Sequence, residues 1–346
     1  MKVFIGTFDL EISDNPFVVT LTDAVHAQHP DVEFYFDRKL FWEQDGWDIV
    51  HIMWPDAFYK DVKEGKNLQK RLQTLKASGS TLIAHIHNLK PHVPDEYIQK
   101  AYEAVYDEAE VMIHLGLYSK ELLEQQYPDK KHVILQHHIY NPLYDNKPSK
   151  KEALDYFHYK EGTYVLSFGD VRSDEERDLL VAVARAFPKI KFIVPRFLFI
   201  PHGRITKRWL RHRIKRVWYY LQAPNIISRG VNYIGENELP LYYALSDISF
   251  IQRVNTLNSG NLPLGMYLGH VIVGPNVGNV GRVLAETRNY SFDPKDKKSI
   301  VSAMESALKA VQAGKGEENR TMVKKQWTKE IIGEQLYKIY SATNQE

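Results

Sequence analysis

The stretch "LPLYYALSDISFIQRVNTLNSGNLPLGMYLGHVIVGP", residues 239–275, alternates two kinds of apolar run. "ISFIQ" (248–252) and "VIVGP" (271–275) are short and nearly continuous, as strands buried on both faces are. "LPLYYALS" (239–246) and "LPLGMYLGH" (262–270) have helical character, the second with Pro263 in a first turn and glycines around it. Strand, helix, strand at this spacing predicts a βαβ unit and a parallel sheet.

The pattern extends in both directions. Upstream, "TYVLSFG" (163–169), "KFIVP" (191–195) and "VNYIG" (231–235) read as strands, and "DEERDLLVAVARAF" (174–187) as a helix. Downstream, 296–314 reads as a helix and 320–342 as one more. The first part repeats the scheme. Strands are expected at 2–8, 32–36, 48–53, 81–87, 110–115 and 132–138. Helices are expected at 15–28, about 62–78, 94–107 and 119–127, the first with Asp14 or Asn15 as N-cap and Pro16 in its first turn. Between 141 and 162, "NPLYDNKPSKKEALDYFHYKEG" is polar and carries two prolines, which marks a domain boundary. The expectation is an α/β chain of two Rossmann-like domains, 1–150 and 151–325, facing each other across a cleft, with 326–346 as a last helix.

Composition narrows the function classes. The chain has 346 residues, 44% apolar and 25% charged, within the range of soluble globular proteins. It has no cysteine, so disulfides and thiolate metal sites are excluded. The formal net charge of +2 identifies no partner by itself. No apolar run is long enough to span a bilayer, and "MKVFIGTFDLEIS" reaches polar residues too early for a secretory signal. A cytoplasmic location is the expectation.

In open parallel sheets, ligands bind beyond the carboxyl ends of strands. After 163–169 come Gly169, which lets a ligand approach the backbone, and Arg172, which can pair with a phosphate. The plain alternative is a turn glycine and a solvated arginine. After 248–252 come Arg253 and then Asn258, Ser259, Gly260 and Asn261. Ser259 or Asn261 would cap the following helix, whose small-residue start suits a diphosphate. The alternative is a capped helix with nothing bound. After 81–87 come His87 and Asn88, against the alternative of a structural histidine. His51 and His138 read as structural. No His-x-x-x-His pair with a nearby carboxylate is present, so no metal site is expected. Neither a Walker sequence nor a Gly-x-Gly-x-x-Gly after the first strand appears.

"HGRITKRWLRHRIKRVWYYLQ" (202–222) has no acid. Leu210, Ile214, Val217, Trp218 and Leu221 recur with helical period, and Arg204, Arg208, Arg211 and Lys215 line another face. A basic amphipathic helix over 204–221 suits an anionic membrane surface. Packing on its own domain is the alternative. Nucleic acid ranks below both, since no nucleic-acid module is recognisable.

"DIVHIMWPD" (48–56), "LIAHIHNLKPH" (82–92), "VLSFGDVR" (165–172), "VNYIGENELPLYYALSDISFIQR" (231–253) and 255–281 together resemble the GT-B-fold glycosyltransferases, nearest to family 4 and its bacterial surface-polysaccharide relatives. The resemblance covers the whole chain. It implies a hexosyltransferase-type enzyme of polysaccharide biosynthesis, peripheral on the inner membrane face. It implies a nucleotide diphosphate sugar held by the second domain and a lipid-linked or polysaccharide acceptor received by the first. No cofactor or metal is implied. By the same resemblance Gly169, Arg172, Arg253, Asn258, Ser259, Gly260 and Asn261 bind the donor, and His87 lies near its sugar. The segment 13–19 forms the acceptor-side loop, and the last helix returns to the first domain. Retaining members usually carry two glutamates eight positions apart; Leu257 and Gly265 stand at that spacing here, and 255–281 has no acid. An inverting reaction would need a base, for which Asp9 and Asp14 are the candidates. A nucleotide-sugar 2-epimerase and a non-catalytic sugar-nucleotide-binding or scaffold protein are the other classes compatible with the sequence.

Overall fold

The computed structural model describes residues 1–8, 16–91, 94–139, 148–197, 207–229, 234–235 and 237–343. The chain forms two compact units, Met1–Tyr140 with Gln326–Glu346, and Asn141–Lys325.

In the first unit, β1 (Lys2–Gly6), α1 (Phe17–Gln28), β2 (Glu33–Tyr35), α2 (Arg38–Glu43), β3 (Ile49–Ile52), α3 (Tyr59–Lys63) and α4 (Leu68–Ala77) follow in turn. β4 (Thr81–Ile86), α5 (Glu96–Glu108), β5 (Val111–His114), α6 (Leu117–Gln126) and β6 (Lys131–Ile134) complete the series. The six strands are all parallel, in the order β2-β1-β3-β4-β5-β6. β3 and β5 are buried along their whole length, because helices cover both faces of a parallel sheet. The expected helix at 62–78 is two, interrupted around Gly65, whose φ of +91° no helix accommodates. Pro16 is the N-cap of α1 and not part of its first turn; Asp14 and Asn15 lie outside the described residues.

In the second unit, α7 (Lys150–Phe157), β7 (Tyr164–Leu166), α8 (Asp174–Ala186), β8 (Lys191–Ile193), α9 (Lys207–Gln222) and β9 (Ile226–Ile227) form one half. α10 (Leu239–Leu245), β10 (Ile248–Phe250), α11 (Asn261–Tyr267), β11 (Val271–Pro275), α12 (Gly278–Glu286), β12 (Tyr290–Phe292) and α13 (Lys297–Gln312) form the other. The sheet order is β12-β11-β10-β7-β8-β9, again all parallel. β7 lies at the centre, with β8 and β9 wound to one side and β10, β11 and β12 to the other. The switch point of the winding therefore falls between β7 and β10. Of the strand expected at 231–235, residues 231–233 lie outside the described ones, and Ile234 and Gly235 are not in a strand. α7 sits inside the polar segment read as a boundary; a Ser149–Glu152 capping box starts it.

The single helix expected at 320–342 is two, α14 (Lys315–Gln326) and α15 (Lys329–Thr343). α15 belongs to the first unit. Its Ile332, Leu336 and Tyr340 join Phe17, Leu21 and Val25 of α1 in one core. Tyr340 Oη and His51 Nδ1 are joined by a 2.7 Å hydrogen bond, and Gln28 Nε2 donates to the Glu330 carbonyl at 3.0 Å.

Candidate sugar-nucleotide site at the switch point of the second sheet

β7 and β10 are neighbours, with Val165 opposite Ile248 and Leu166 opposite Ser249. The loops after them leave the sheet side by side at its carboxyl edge. Gly169 and Arg172 come from the first loop, and Arg253 and the 256–261 segment from the second. The two loops are tied together by Gln252, which is buried. Its Oε1 accepts from Ser167 Oγ at 2.8 Å and its Nε2 donates to the Asp170 carbonyl at 3.0 Å. Gly169 has a φ of +97°, which L side chains rarely adopt. An added Cβ there would sit 3.4 Å from Asn261 Nδ2 and 3.9 Å from an Arg253 nitrogen, so the three residues converge on one small space.

Glu176, in the first turn of α8, organises this edge. Its carboxylate accepts from one Arg253 nitrogen at 3.0 and 3.1 Å and from the Arg172 backbone N–H at 2.7 Å. The pair is largely out of solvent, with side chains 13% and 5% exposed for Arg253 and Glu176. Arg253 is thus held by an ion pair. Arg172 is exposed, and its guanidinium pKa is lowered by partial desolvation and then by the neighbouring charge of Arg253. Two guanidiniums and one carboxylate leave a net positive edge, and Arg196 pairs with Asp170 beside it at 2.7 Å.

The 256–261 segment departs from its expected form. Neither Ser259 nor Asn261 caps α11. The N-cap position is Gly260, without a side-chain cap, because Asn261 turns its amide to the Phe168 carbonyl at 2.7 Å. The Ser259 carbonyl accepts from Leu262 N. Asn258 Oδ1 accepts from Asn279 Nδ2 at 2.8 Å, and Thr256 Oγ1 donates to the Asn258 carbonyl at 2.7 Å. Gly278-Asn279-Val280-Gly281 starts α12. Gly278 has a φ of +55°, and a Cβ there would meet the Thr256 carbonyl oxygen at 2.5 Å. The glycine lets the start of α12 touch the 256–258 backbone and hold it. Gly265 faces inward: a Cβ would stand 2.8 Å from both Ile272 Cδ1 and Ser249 Oγ. A glutamate at 265 would enter the sheet core and not this edge.

His87 belongs to the first unit, just past β4. Its ring stacks on Trp54 at 4.4 Å and on His85 at 4.6 Å, with Phe17 edge-on at 4.8 Å. Desolvation, and then the charges of His137 and His51, hold its pKa well below the usual histidine value, so it is a neutral ring at neutral pH. His51, His85 and His138 are buried next to it. Asp9 and Asp14 lie outside the described residues. Among the described residues, no three His, Asp or Glu side chains are grouped as metal ligands, and no helix is long and apolar enough to cross a membrane.

Sequence reasoning missed Glu176, Gln252 and Asn279. "SDEE" at 173–176 looks like a solvated acidic first turn, but Glu176 is buried, with Arg253 from the loop after β10 and the Arg172 N–H on its carboxylate. The available signal was Ser173, whose hydroxyl accepts from the Glu176 N–H and fixes that residue as the third of the helix.

No family model matches the chain, and no curated protein matches it in sequence. Solved structures do match. Sucrose-phosphate synthase from Thermosynechococcus elongatus superposes with a TM-score of 0.74 at 14% identity, over 99% of this chain and 98% of that one. HepE from Anabaena, in complex with UDP-glucose, gives 0.71 at 11% identity over 99% and 100%. A glycosyltransferase from Rickettsia africae gives 0.62 at 10% identity over 99% and 98%. With parallel six-stranded sheets in both units and full-length likeness to these proteins, the chain has the GT-B fold of two Rossmann-like domains.

Proposed function

We propose that this chain is a glycosyltransferase that moves a glycosyl unit from a nucleotide diphosphate sugar to a lipid-linked or polysaccharide acceptor at a membrane surface. The observation that carries the reading is the convergence of Gly169, Arg253 and Asn261 at the switch point between β7 and β10, with the exposed Arg172 on the adjoining loop. That is where open α/β sheets bind nucleotides. Fold relatives include HepE, whose structure holds UDP-glucose. In this reading Arg172 and Arg253 face the diphosphate. Leaving-group departure builds negative charge there, and Glu176 keeps Arg253 fixed before the reaction starts, so little reorganisation is needed. Asn258, Ser259, Gly260 and Asn261 supply polar groups to the same oxygens. His87, neutral, offers a hydrogen bond to a sugar hydroxyl. No metal or other cofactor has a role. The protein acts in the cytoplasm, peripheral on the inner membrane face, in polysaccharide biosynthesis.

The test is transfer from radiolabelled nucleotide sugars with Arg253→Ala alongside the wild type. A fall in turnover of about 100-fold is expected for loss of one preorganised charged donor. Unchanged turnover overturns the assignment of Arg253. Conversion of the donor sugar without acceptor would instead identify an epimerase, and neither transfer nor conversion a binding protein.

A further inference from the structure

α9 is fastened to the second unit by one side only. Tyr219 and, beyond the helix end, Ala223 enter the core, and Tyr219 Oη donates to Asp178 Oδ1 at 3.3 Å. Lys215 Nζ donates to Asp174 Oδ2 at 2.5 Å. At about 100° per residue, the stripe of Leu210, Ile214, Val217, Trp218 and Leu221 is centred roughly 150° around the helix from Tyr219. The structure turns all five outward, with exposures of 52, 62, 58, 52 and 78%. The packing alternative for this stripe therefore fails. The other large exposed apolar side chains among the described residues, such as Phe8, Val19 and Tyr118, are scattered over the first unit and α7, whereas these five share one face of one helix.

The charge around the stripe selects its partner. The 16 residues of α9 include six Lys or Arg and no acid, although Lys215, expected on the membrane-facing basic side, is turned to its own domain and paired with Asp174. Arg211, next to the stripe, is exposed. Two copies of so basic a helix would repel one another face to face. An anionic lipid surface answers both features, taking the basic groups at the headgroups and the apolar edge at the acyl boundary. A tryptophan in the stripe fits the interfacial depth.

We infer that α9 lies along an anionic bilayer with Leu210, Ile214, Val217, Trp218 and Leu221 inserted among the lipids, and that this helix holds the enzyme at its acceptor. The inference rests on the reading that transfer takes place at a membrane. Insertion distinguishes it from purely electrostatic adhesion: apolar contact persists where salt screens the charges.

The full chain is sedimented with vesicles of phosphatidylcholine alone and of phosphatidylcholine mixed with phosphatidylglycerol. Binding to the anionic vesicles only is expected. The double variant Ile214→Glu, Leu221→Glu should weaken it by at least about tenfold, since each exposed side chain loses its apolar burial. Equal binding to both vesicle types, or binding that the double variant leaves unchanged, overturns the inference. So does a dimer of the wild type that the double variant dissolves, which would assign the stripe to a second copy. Thermal stabilisation by UDP is measured on the same samples. Vesicle binding lost in the wild type with UDP stabilisation intact refutes the docking alone; vesicle binding without stabilisation by UDP or any other nucleotide refutes the donor site alone.

Discussion

Glu176 decides what Arg253 can do. A free guanidinium would bind a diphosphate by swinging toward it; this one is already oriented by two contacts to a buried carboxylate. Removing one partner of such a pair strands the other charge away from water. Glu176→Ala is therefore expected to destabilise the protein by about 3 kcal/mol, read as a lower urea midpoint. A loss under about 0.5 kcal/mol would mean that the pair is as loosely held as a surface salt bridge. Gly169 and Arg172 could be placed on the loop beyond β7 from the sequence, because the apolar run before them marks the strand. Glu176 was not legible there, since burial of a polar first-turn residue depends on which strand lies beside its helix. Strand order leaves no trace in hydrophobic periodicity.

At the scale of elements, the start of α12 and the 256–258 segment form one brace. Gly278 at φ +55° permits the contact, and Asn279 makes the bond to Asn258. Gly278→Ala adds both left-handed strain and a collision with the Thr256 carbonyl. A loss of about 2 kcal/mol is expected, with weaker UDP binding in calorimetry as the 256–258 segment of the proposed donor site shifts. UDP affinity equal to that of the wild type would detach this brace from the site. "NVGNVG" at 276–281 reads as loop because Gly and Asn are poor helix formers; tertiary contact at the start of α12 overrides propensity. α9 shows the converse. Its period was plain in the sequence, and its apolar stripe was identified residue by residue. Periodicity gives a stripe and not what the stripe faces, so only Tyr219 in the core settled which side points out.

At the scale of the molecule, acid is the expected weakness. His51, His85, His87, His137 and His138 are desolvated together in the first unit, with pKa values lowered to about 3 for His51 and about 4 for His137 and well below the usual 6.5 for the other three. A histidine depressed in the folded state binds its proton first in the unfolded state. The stability from keeping these rings neutral is full above about pH 6.5 and is lost as pH falls through the window below it. Each ring contributes up to about 1.4 kcal/mol per pH unit there. Urea unfolding at about pH 7.5 and about pH 5.5 should show a marked drop, and His85→Leu should shallow it. A midpoint independent of pH over that range would contradict the buried neutral cluster. The same unit has another dependence, on time. Its core is closed by Ile332, Leu336 and Tyr340, which the ribosome makes after the whole of the second unit. The usual order, in which the N-terminal domain finishes folding first, is reversed. During synthesis Leu21 and Val25 wait for these partners while the whole of the second unit emerges, so the first unit is expected to finish folding only after the second has been made.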